Sequence, residues 1–71
     1  MNTLNYQDDI NAVRETFIQA LSDEFTARSG FGVYAYLGPL DINQLFKTYL
    51  RQRLPLRPFI KPHVKRLLAG A

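Results

Sequence analysis

Two stretches of the chain repeat apolar residues at helical spacing. In the first, Tyr6, Ile10, Val13, Phe17, Leu21 and Phe25 recur at steps of three and four. That spacing gives a helix from about 6 to 28 one continuous apolar face. Asn5 is placed to cap it, and Asp8 and Asp9 fall in its first turn, where the helix dipole favours negative charge. Gly30 fits the left-handed position that closes the last turn, and Phe31 is placed to fold back on Phe25.

The second stretch is Ile42, Leu45, Phe46, Tyr49, Leu50 and Leu54, which predicts a helix over 41–54. Asp41 and Gln44 have the spacing of a capping box, with Leu40 and Leu45 as its hydrophobic staple. Pro55 ends the helix, because a residue before proline is pushed out of helical geometry. The opposite face of this helix is polar and basic and holds no carboxylate.

Between the helices, residues 31–40 read FGVYAYLGPL and lose the helical period. In an extended strand Val33, Ala35 and Leu37 would point one way and Tyr34 and Tyr36 the other. One strand cannot satisfy its own backbone hydrogen bonds. Residues 33–37 are therefore expected either as an aromatic loop or as a short strand paired with its copy in a homodimer. Beyond Leu54, prolines at 55, 58 and 62 predict an extended, polyproline-like basic tail. Leu56, Phe59 and Ile60 would anchor it, and a short helix at about 62–68 would end it. The fold class is mainly α, in a single small domain spanning 1–71.

Composition limits the chemistry. At 71 residues without cysteine, the chain has no disulfide, no thiolate metal site and no cysteine nucleophile. One core of this size seldom supplies more than ~3–5 kcal/mol, so natural chains this short often lean on partners. The longest apolar run, Val33 to Leu37, is far short of the ~18 residues a membrane span needs. No basic and then apolar leader pattern opens the chain, and a cytoplasmic protein is the simplest expectation.

The distribution of charge says more than its +3 total. Residues 1–41 hold all six acids and two bases, a net −4. Residues 42–71 hold seven bases and no acid: Lys47, Arg51, Arg53, Arg57, Lys61, Lys65 and Arg66. Such asymmetry points to nucleic acid or an acidic partner, unless the acidic half folds against the basic half.

No catalytic constellation emerges. His63 is the single histidine and has no His or Cys companion for a metal site. Asp8–Asp9 and Asp23–Glu24 are adjacent pairs, which diverge by about 100° on a helix and so do not face each other across a bond. Gly30, Gly32 and Gly38 miss the dinucleotide fingerprint, since Ala35 stands where its third glycine is needed. Pro55-Leu56-Arg57-Pro58 fits the loose PxxP pattern, but its apolar neighbours favour internal packing. No helix-turn-helix spacing, zinc-finger spacing or RNA-type aromatic motif is present.

These readings predict a non-enzymatic binding protein without cofactor or metal: a small regulator, adaptor or inhibitor of a larger protein or nucleoprotein target. Accessory proteins of phages and mobile elements often have this size. The predicted contact residues are Tyr34, Tyr36, Lys47, Arg51, Arg53, Arg57, Lys61, Lys65 and Arg66, since tyrosine and arginine favour interface centres. Direct DNA or RNA binding by the same bases is the first alternative. A structural subunit of a larger assembly is the second.

Overall fold

The computed structural model describes the backbone over residues 6–70 and side chains from Asp9 to Gly70. The expected cap Asn5 and the side chains of Tyr6 and Asp8 lie outside that range. Three helices, α1 (Tyr6–Ser29), α2 (Pro39–Gln52) and α3 (Leu56–Ala69), follow one another with a 3₁₀ turn at Val33–Ala35. The mainly α class read from periodicity is what the chain adopts. No helix among the described residues is long and apolar enough to cross a membrane.

The apolar stripes converge as expected. Phe17, Leu21 and Phe25 of α1 pack with Val33, with Ile42 and Phe46 of α2, and with Phe59, Ile60 and Val64 of α3. Phe17 sits at the centre, its ring 5.3 Å from Phe46, 5.1 Å from Tyr49 and 6.1 Å from Phe59. No polar or charged side chain among the described residues is buried, so desolvation penalties are small. Leu56 lies beside Ala12–Phe17 and Ile60 beside Ala20–Ala27, so α3 runs alongside α1 in the same direction. Tyr49 meets Phe59 while Leu67 lies beside Leu45, so α2 runs against α3.

Residues 33–37 form no strand. Val33 starts a 3₁₀ turn, and its N–H donates to Ser22 Oγ at 3.2 Å, which supplies the partner a strand would have needed. Tyr36 and Leu37 both donate to the Val33 carbonyl. The chain at Gly32 passes so close to α1 that a Cβ there would lie 2.7 Å from Ser22 Oγ. The strand-paired homodimer expected from this segment therefore has no strand to use. Gly30 does adopt the left-handed conformation, at φ +87°, with its N–H on the Thr26 carbonyl at 2.9 Å. Phe31 is exposed instead of covering Phe25, because the Tyr36 ring stacks there at 4.9 Å and 13°.

Helix α2 begins two residues before its expected start. Gly38 is its N-cap and Pro39 its first residue, a position where the missing proline N–H is not needed. Asp41 is then the third helical residue and accepts the Gly38 N–H at 3.2 Å, so the Asp41–Gln44 box does not form. Leu40 is correspondingly exposed and staples nothing. The helix stops at Gln52, leaving Leu54 outside it and half exposed.

The larger correction concerns the tail. Residues 56–69 form one continuous helix, where an extended path to about 62 was expected. Pro55 is its N-cap and Pro58 lies in the first turn, among the N–H groups that have no helical acceptor in any helix. Only Pro62 interrupts the ladder, leaving the Pro58 carbonyl without its usual donor. Pro58 and Pro62 are one turn apart and both exposed, so water can satisfy that carbonyl.

Candidate docking surface

The nine predicted contact residues are distributed over the 3₁₀ turn, α2, its C-cap and α3. Tyr34 is 68% exposed and free to contact a partner, but Tyr36 is packed on Phe25. Tyr36 keeps 36% of its surface exposed beside that stack, so both tyrosines reach solvent, Tyr34 the more fully. Lys47 and Arg51 lie one turn apart on the side of α2 opposite Ile42 and Phe46. Leu40 and Gln44 continue the same outward row toward the start of the helix. Arg51 Nη2 donates to Thr48 Oγ1 at 3.5 Å, which steers it along the helix.

On α3 the bases divide. Arg57, Lys61 and Lys65 recur every four residues along one exposed side, while Arg66 lies on another flank. Arg57 shares a groove with Asp23 and Glu24 of α1, so it meets the acidic half of the chain. Lys61 and Lys65 are exposed. Arg53 closes α2 in the left-handed region, at φ 56°, with its N–H on the Tyr49 carbonyl at 3.2 Å.

Among the described residues the only ion pair is Arg28–Glu24, 2.5 Å apart within α1. None of the seven bases after residue 41 approaches a described carboxylate within the 4.0 Å of an ion pair. Polar contact between the halves is neutral at one end: Arg14 donates to the Asn43 amide oxygen.

His63 is half-buried and stacked on Phe59, with ring centroids 4.4 Å apart. Its Nδ1 lies 2.8 Å from the Phe59 carbonyl; a carbonyl only accepts, so Nδ1 carries the hydrogen. No three metal-ligating side chains converge among the described residues.

One site was not foreseen. Ala12, Val13, Thr16 and Phe17 of α1, Tyr49 of α2 and Leu56 of α3 line an apolar groove of about 330 Å³. Spacing alone assigned Val13 and Tyr49 to the core stripes. A stripe does not show where two helices run out and leave the third uncovered.

Fold and surface together define the class: a small three-helix fold with a buried aromatic core and exposed bases on α2 and α3. No family model, curated protein or solved structure matches this chain.

Proposed function

We propose that this chain is a small non-enzymatic binding protein, a regulator, adaptor or inhibitor acting in the cytoplasm. It docks on an acidic surface of a larger protein or nucleoprotein target. The observation that carries the reading is the set Lys47, Arg51, Lys61 and Lys65: exposed, on two helices, and outside ion-pair distance of every described carboxylate. Bases that a fold does not use internally remain available to a partner, where charge complementarity raises association rate and selects the partner. Exposed Tyr34 and Leu40 add apolar contact area. His63, committed to Phe59, fits a binding role better than proton transfer.

The test is capture from a nuclease-treated lysate of cells that make the protein. Wild type is compared with Lys47→Glu/Arg51→Glu and Lys61→Glu/Lys65→Glu, each checked by circular dichroism for retained helix. A partner held by the wild type and lost by either variant is the expected result. A partner held equally by all three would overturn the reading. Capture that disappears with nuclease would favour the nucleic-acid alternative, and affinity for DNA or RNA should then fall log-linearly with salt.

A further inference from the structure

We draw no further inference here: the strongest candidate, the apolar groove between the three helices lined by Val13, Phe17, Tyr49 and Leu56, carries nothing because nothing in the structure shows what covers it.

Discussion

Phe17 is the residue on which all three helices depend, since its ring touches Phe46, Tyr49 and Phe59. Removing a buried phenylalanine ring costs about 3–5 kcal/mol, comparable with the whole stability expected of one small core. Phe17→Ala should therefore lose cooperative unfolding and most helical circular dichroism, whereas exposed Tyr34→Ala should change stability by less than ~0.5 kcal/mol. Arg53 presents the opposite case. Its left-handed backbone costs roughly 1–2 kcal/mol for an L side chain and nearly nothing for glycine. Arg53→Gly should raise stability by about 1 kcal/mol in urea unfolding. The roles of Phe17, Leu21 and Phe25 were legible in their three- and four-residue steps. That of Tyr36 was not: its ring covers Phe25 only because the chain at Gly32 closes against Ser22, a long-range contact that no local pattern encodes.

Among the elements, α1 and the body of α2 follow directly from periodicity, and Gly30 closes α1 as its position implies. α3 shows where local rules mislead. Three prolines in eight residues read as an extended path, yet only Pro62 costs the helix a hydrogen bond. The apolar residues Leu56, Phe59, Ile60, Val64 and Leu68 still share a helical face, and burying them outweighs one lost bond. Pro62→Ala should therefore stabilise the protein by about 1–3 kcal/mol, less whatever the proline contributed by stiffening the unfolded chain. Denaturant unfolding with unchanged m-value would show it; a loss of stability would mean that the helix is broken at this point. Residues 33–37 show a different limit. Their alternation over five positions suits a strand, but a strand needs a neighbour, and Ser22 supplies one hydrogen bond without it. Asp41 caps the helix from its third position instead of preceding it, because Pro39 is free to start the helix.

For the whole molecule, the acidic and basic halves share a core, yet no ion pair among the described residues joins them. The charge division was legible from sequence, but whether it is satisfied internally depends on which faces the helices turn to one another. Arg57 shares a groove with Asp23 and Glu24 of α1, and even there no ion pair within 4.0 Å forms among the described residues. The remaining bases are exposed on α2, its C-cap and α3, and their mutual repulsion is tolerated by the fold. Salt separates this arrangement from internal neutralisation. Raising NaCl from about 0.01 M to about 0.5 M shortens the screening length from ~30 Å to under ~5 Å and weakens exposed charge interactions of either sign. Urea unfolding of the wild type at a fixed low-micromolar concentration, measured across that range, is the most direct test. Stability unchanged or rising with salt is the predicted result. A fall of more than about 1 kcal/mol would show that the halves hold each other through charge, and would contradict the account.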